Sequence, residues 1–130
     1  MVIVDSDVII WVLRGDATYQ ERFAEMVRSE KGKAAVTPVQ YAEIMAGVKE
    51  KERAVTEVFL ESFICLPIDA NVGLRAGEYL HRYAKSHSVH LPDALVAASV
   101  SLGNHTLWTA NTKHYPMLHA ADLYRNAAFR

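Results

Sequence analysis

Four short apolar runs recur along this chain: Val2-Ile3-Val4, Ala34-Ala35-Val36, Ile64-Cys65-Leu66 and Thr106-Leu107-Trp108. Runs this short, apolar at neighbouring positions, fit strands covered on both faces. The stretches between them carry helical periodicity and are long enough for parallel crossovers. Such alternation predicts an α/β fold, a three-layer α/β/α sandwich with a mainly parallel central sheet. The 130 residues suffice for one domain with a real core. No internal repeat, low-complexity segment or linker divides them, so residues 1–130 are expected to form a single domain.

The helices can be placed from local signals. Asp7 is expected to cap a helix that runs to about Arg14, where Gly15-Asp16 breaks it. Phe23, Met26 and Val27 predict a second helix over about 18–29. Thr37-Pro38-Val39-Gln40 is a capping box with proline at the first helical position. The helix it opens has Tyr41, Ile44, Met45 and Val48 on one face and Val39, Ala42 and Ala46 on the other. A helix apolar or small nearly all round is expected to be buried, and Glu43 with it. Val55, Val58, Phe59 and Phe63 are in helical register, and Asp69 heads a long helix bearing Val72, Ala76, Tyr79, Leu80 and Tyr83. Pro92 opens a final helix that ends near Gly103.

The charges are placed unusually. Asp5 and Asp7 are the only formal charges before Arg14, Glu43 the only one between Lys33 and Lys49, and Asp93 the only one between Lys85 and Lys113. An ionised carboxylate in apolar surroundings is costly unless a cation or hydrogen-bond donors compensate it. No nearby Lys or Arg does so. If the fold gathers these groups, the fitting counter-charge is a divalent ion held by oxygen ligands. Sites in open α/β sheets form outside the carboxyl ends of the strands. Asp5 ends the first strand there, Thr109 to Asn111 follow the fourth, and Asp93 lies at a helix start, which favours negative charge.

Composition excludes several classes. With 51% hydrophobic and 22% charged residues the chain reads as soluble and globular. A net charge of −1 gives no global pull toward nucleic acid, so any such contact must be local. Cys65 stands alone, which excludes an internal disulfide and favours a reducing compartment. The apolar start is interrupted at once by Asp5 and Asp7, and the stretch after Lys85 contains polar residues, so neither a signal peptide nor a membrane span is expected. A cytoplasmic protein is the resulting expectation. His87, His90, His105 and His114 have no zinc-ligand spacing. Arg75, Arg82 and Lys85 read as a solvated helix face.

Four pieces in order resemble the PIN-domain family, and specifically the VapC-type toxins of toxin–antitoxin pairs. They are Val4-Asp5-Ser6-Asp7-Val8-Ile9, Tyr41-Ala42-Glu43-Ile44, Leu91-Pro92-Asp93-Ala94-Leu95-Val96-Ala97-Ala98, and Leu107-Trp108-Thr109-Ala110-Asn111-Thr112-Lys113-His114-Tyr115. The resemblance spans essentially the whole chain. It implies endonucleolytic cleavage of RNA that depends on Mg²⁺ or Mn²⁺, with Asp5, Glu43, Asp93 and Asn111 as catalytic residues. It further implies Asp5 and Asp93 as metal ligands, Asp7 and Thr109 in support, and Lys113 and His114 near substrate. Partners implied in the same way are a VapB-like antitoxin, whose tail occupies the groove, and a second copy in a homodimer. The stretch Val55/Phe59/Phe63 is a candidate partner surface that ordinary core packing explains equally well. Two departures stand out: the family's last acidic position is Asn111 here, and the position two after the first Asp, often Asn, is Asp7.

Rival readings fit less of the chain. Asp5-Ser6-Asp7-Val8 resembles the opening of haloacid dehalogenase-like phosphohydrolases, but the later acidic pair in a Gly-Asp context is missing and Glu43 goes unexplained. A receiver-type signalling domain needs a phosphoacceptor Asp ending a middle strand, whereas Asp69 follows Pro67 as a helix cap. A PIN-like module that binds RNA or protein without cutting is kept open by Asn111.

Overall fold

The computed structural model describes residues 1–31 and 33–125. The order of elements is β1 (Val2–Val4), α1 (Ser6–Leu13), α2 (Ala17–Ser29), β2 (Ala34–Val36), α3 (Pro38–Gly47), α4 (Arg53–Glu61), β3 (Ile64–Cys65), α5 (Ala70–His87), α6 (Leu91–Leu102) and β4 (Thr106–Trp108). Short 3₁₀ turns cover Glu50–Glu52, Thr112–His114 and Ala120–Asp122. All the strand pairings are parallel, in the order β3-β2-β1-β4. The chain steps from β1 outward to β2 and β3, then returns to place β4 on the other flank of β1. A switch point in strand order therefore falls between β1 and β4, the place where open α/β sheets form their sites.

Strand alternation divides the core into two layers. Ile3, Ala35 and Leu107 point to one face, packed against Val72 and Ala76 of α5 and Ala94, Ala97 and Ala98 of α6. Val2, Val4, Ala34, Val36 and Trp108 point to the other, against Val8 and Ile9 of α1, Met26 of α2, Ile44 of α3 and Leu60 of α4. Each strand is apolar at consecutive positions because both faces are covered. The exception is β3, whose Ile64 and Cys65 are exposed. It forms the edge of the sheet, so only one flank is paired.

Capping residues end the helices mostly where the sequence places them. Gly15 takes φ +84° after α1, a left-handed conformation suited to glycine. Asp16 caps α2 and Asp69 caps α5. The cap of α1 is a correction: it is Asp5, not Asp7, whose side chain accepts from the Ser6 N–H. Only Asp5 separates the strand from the helix, which leaves Asp7 inside the first turn. Of the Val55/Phe59/Phe63 stretch, Phe59 and Phe63 join Phe23 in an aromatic cluster. Val55 and Val58, by contrast, are 71% and 67% exposed.

The capping box of α3 does more than cap. Gln40 is fully buried, and its Oε1 accepts from the Thr37 N–H at 3.0 Å and the Thr37 hydroxyl at 2.6 Å. Its Nε2 donates to the Val4 carbonyl at 3.1 Å. One side chain thus ties the start of α3 to the end of β1 and sets Glu43 beside Asp5. Replacing Gln40 with methionine keeps the volume but strips the buried Thr37 N–H of its acceptor. We expect a loss of about 2 to 3 kcal/mol, read as a lower urea midpoint at unchanged m-value.

Candidate active site

Asp5 stands at the carboxyl end of the central strand and is 7% exposed. Its Oδ1 accepts from the Ser6 N–H at 2.9 Å. Its Oδ2 accepts from the Thr109 hydroxyl at 2.9 Å and the Tyr115 hydroxyl at 2.7 Å. Its backbone N–H donates to the Trp108 carbonyl, fastening it to β4. Every one of these donors is neutral, so the carboxylate is held without being discharged.

Asp7 reaches the same loop from the first turn of α1. Its carboxylate accepts from the Val8 N–H at 2.7 Å and the Ala110 N–H at 3.2 Å. Thr109 Oγ1 lies 3.3 Å away. That hydroxyl has one proton, and the shorter approach to Asp5 takes it. Burial first, and then the charge of Asp5, push the Asp7 carboxyl above the usual range, against the pull of Ala110, Val8 and Thr109. Asp7 therefore clasps α1 to the segment after β4.

Glu43 corrects an expectation. It is exposed, as are Ala42, Ala46 and Gly47 on the same helix, while Gln40 and Ile44 are buried. The small residues of α3 leave an open surface where a large apolar face would have demanded cover. The Ser6 hydroxyl donates to Glu43 Oε1 at 3.0 Å. Although the side chain as a whole is solvent-accessible, its carboxyl end is partly desolvated, which raises its pKa. The Ser6 bond opposes the shift, and Asp5, Asp93 and Asp7 add to it. Asp93, half-buried in the first turn of α6, is likewise raised, chiefly by desolvation. His114 opposes that shift, Asp5 reinforces it, and His90 and the nearby Tyr115 hydroxyl oppose it.

Asp5 and Asp7 at the start of α1, Glu43 on α3 and Asp93 on α6 thus come from three segments and act on one another electrostatically. The salt bridges Arg28–Glu25, Arg53–Glu57 and Arg75–Glu78 involve none of them. Among the described residues no three His, Cys, Asp or Glu side chains converge closely enough to hold a metal ion by themselves. This excludes a closed all-protein cage but suits a hydrated cation. Mg²⁺ keeps several waters and needs only one or two carboxylates. Hard oxygen donors with excess negative charge fit such an ion, with Asp5 and Asp93 as the candidates to hold it.

The remaining predicted residues lie beyond β4. Asn111 spends both ends of its amide locally: Oδ1 accepts from the Lys113 N–H at 3.2 Å, and Nδ2 donates to His114 Nε2 at 3.0 Å. It caps the 3₁₀ turn while its own N–H donates to Thr109 Oγ1. Lys113 and His114 are exposed at this rim. Sequence reasoning passed over Ser6 and Tyr115 as site residues. Both sit inside the quoted motifs, but their hydroxyl contacts depend on how α1 and the 3₁₀ turn bring them back to the carboxylates.

A parallel sheet with carboxylates gathered beyond its strand switch defines a class of α/β protein, and comparison with known proteins gives the family. The family model for the PIN domain matches residues 2–117, and the chain belongs to that family. A curated relative, Ribonuclease VapC10 of Mycobacterium tuberculosis, is 34% identical over 118 residues, covering 90% of this chain and 87% of the relative. Among solved structures, a toxin–antitoxin complex from Klebsiella pneumoniae superposes with TM-score 0.74 at 20% identity, covering 95% of this chain and all of that one. VapBC2 from Rickettsia felis, bound to a promoter DNA fragment, has TM-score 0.72 at 21% identity, with 91% and 96% covered.

The raised carboxyls of Asp7, Glu43 and Asp93 have a consequence for stability. The folded protein holds protons that the unfolded chain releases, so stability falls as pH rises from the ordinary carboxylate range to the raised values. In EDTA, the melting temperature is expected to rise as pH drops from 7 toward roughly 5. Mg²⁺ or Mn²⁺ at pH 7 should restore the difference. A melting curve unaffected by both would show that the carboxylates do not repel.

Proposed function

We propose that this chain is a divalent-metal-dependent endoribonuclease, the toxin of a VapBC-like toxin–antitoxin pair. The observation that carries the reading is the gathering of Asp5, Asp7, Glu43 and Asp93, unpaired by any of the observed salt bridges, at the strand switch of a PIN domain. The relative at 34% identity bears the name ribonuclease, which supports RNA as substrate. Asp5 and Asp93 are the proposed ligands of Mg²⁺, with Mn²⁺ as an alternative. When bound, such an ion neutralises charge on the attacked phosphodiester and acidifies water.

The side chains divide the remaining work. Glu43, its pKa raised and its carboxyl held by Ser6, is suited to accept a proton from the attacking water. The water oxygen bonds to phosphorus as its proton passes to Glu43, the bond to the leaving oxygen breaks, and that oxygen takes up a proton from solvent. Thr109 keeps Asp5 oriented, and Asp7 holds the loop that carries Thr109. Lys113 and His114 at the rim would meet the phosphate backbone, and Asn111 fixes their turn.

The toxin–antitoxin structures support an antitoxin as partner. A groove of about 520 Å³ beside α1 and α3 is lined by Ile10, Leu13, Ile44 and Val48 together with the charged Arg14, Glu43, Lys49 and Glu52. An amphipathic tail fits that lining. A second reading, a module that binds RNA without cutting, draws on Asn111, a neutral amide engaged in its own turn.

The test is cleavage of a mixed cellular RNA pool with Mg²⁺, Mn²⁺ or EDTA. Wild type is expected to yield discrete products only with metal, and Asp93→Ala to lose more than about 100-fold in rate while remaining folded. Equal cleavage by wild type and Asp93→Ala would rule out the mechanism. Binding without cleavage would favour the second reading.

A further inference from the structure

Tyr115 is 3% exposed, and its ring packs in the core among Leu107, Met117 and Leu118. Its backbone is fixed on both sides, with the Tyr115 N–H on the Thr112 carbonyl and the Leu118 N–H on the Tyr115 carbonyl. Packing alone would be served by phenylalanine. A buried hydroxyl is costly without a partner, and this one has a charged partner in Asp5 at 2.7 Å.

An oxygen of an ionised carboxylate offers two lone pairs. Both on Asp5 Oδ2 are engaged, by Thr109 and Tyr115, whereas Oδ1 has given one to the Ser6 N–H. We propose that Tyr115 is a positioning residue: with Thr109 it occupies Oδ2 of Asp5, so that this carboxylate meets a cation through Oδ1 alone. In this contact the phenol hydroxyl is the donor and the Asp5 carboxylate the acceptor. The inference rests on the metal-dependent reading of the site.

The experiment is a titration of the full chain with Mn²⁺, following the free ion by electron paramagnetic resonance. It is run alongside melting curves in EDTA and RNA cleavage over the same Mn²⁺ range. Tyr115→Phe is expected to bind Mn²⁺ about 10-fold more weakly, with the cleavage rate returning to near the wild-type value once Mn²⁺ saturates. Thr109→Val, which removes the companion hydroxyl, is expected to shift affinity in the same direction and decides the matter if Tyr115→Phe does not fold. Affinity equal to wild type in a folded Tyr115→Phe overturns the proposal. So does a rate that stays low at saturating metal, and so does a wild-type protein that binds no Mn²⁺. Wild type that binds Mn²⁺ but leaves RNA intact removes the nuclease reading, while the affinity difference still judges Tyr115.

Discussion

A carboxylate as enclosed as Asp5 must have its hydration replaced, and here the replacement comes entirely from neutral donors on three parts of the chain. Ser6 opens α1, Thr109 follows β4, and Tyr115 follows the 3₁₀ turn. For these to meet, β4 must return beside β1, and the residues after it must fold back over the strand ends. The Asp5 N–H on the Trp108 carbonyl and the parallel pairing of Val4 with Trp108 enforce that return. The strand order and the site are one constraint seen from two sides.

The other acidic groups are brought in by separate devices. Gln40 anchors α3 to the Val4 carbonyl, which carries Glu43 to Asp5. Asp93 lies in the first turn of α6, where free backbone N–H groups and the helix dipole favour negative charge. Asp7 is clasped by Val8 and Ala110. Backbone N–H groups and hydroxyls hold these carboxylates in place yet leave their mutual repulsion unrelieved. A fold that spends hydrogen bonds on holding like charges together has stored a preference for a cation. Hydrated divalent ions satisfy that preference without a closed cage of protein ligands.

Much of this was legible in the residues. The short apolar runs gave the parallel sheet because strands covered on both faces show no alternation. Thr37 to Gln40 declared a helix start through capping chemistry that acts within four residues. The isolation of Asp5, Asp7, Glu43 and Asp93 from Lys and Arg marked them as a set. Where the reading missed, the deciding fact was not local. Asp5 capped α1 because it is the single residue between the end of β1 at Val4 and the start of α1 at Ser6. Glu43 came out exposed because periodicity cannot tell a small-residue face that is covered from one left open.

Sequence by itself determined the elements, the identity of the acidic groups and their family pattern, since these depend on short-range propensity, capping and charge spacing. Only the tertiary structure decided which hydroxyl meets which carboxylate. The Tyr115 ring reads as ordinary core in a linear scan, and its partner lies 110 positions away. Asn111 could be a ligand or a turn residue from its type alone, and the fold turned its amide toward His114 and Lys113. Hydrogen bonds are short and directional, so their pairing is fixed only when distant segments are packed in register.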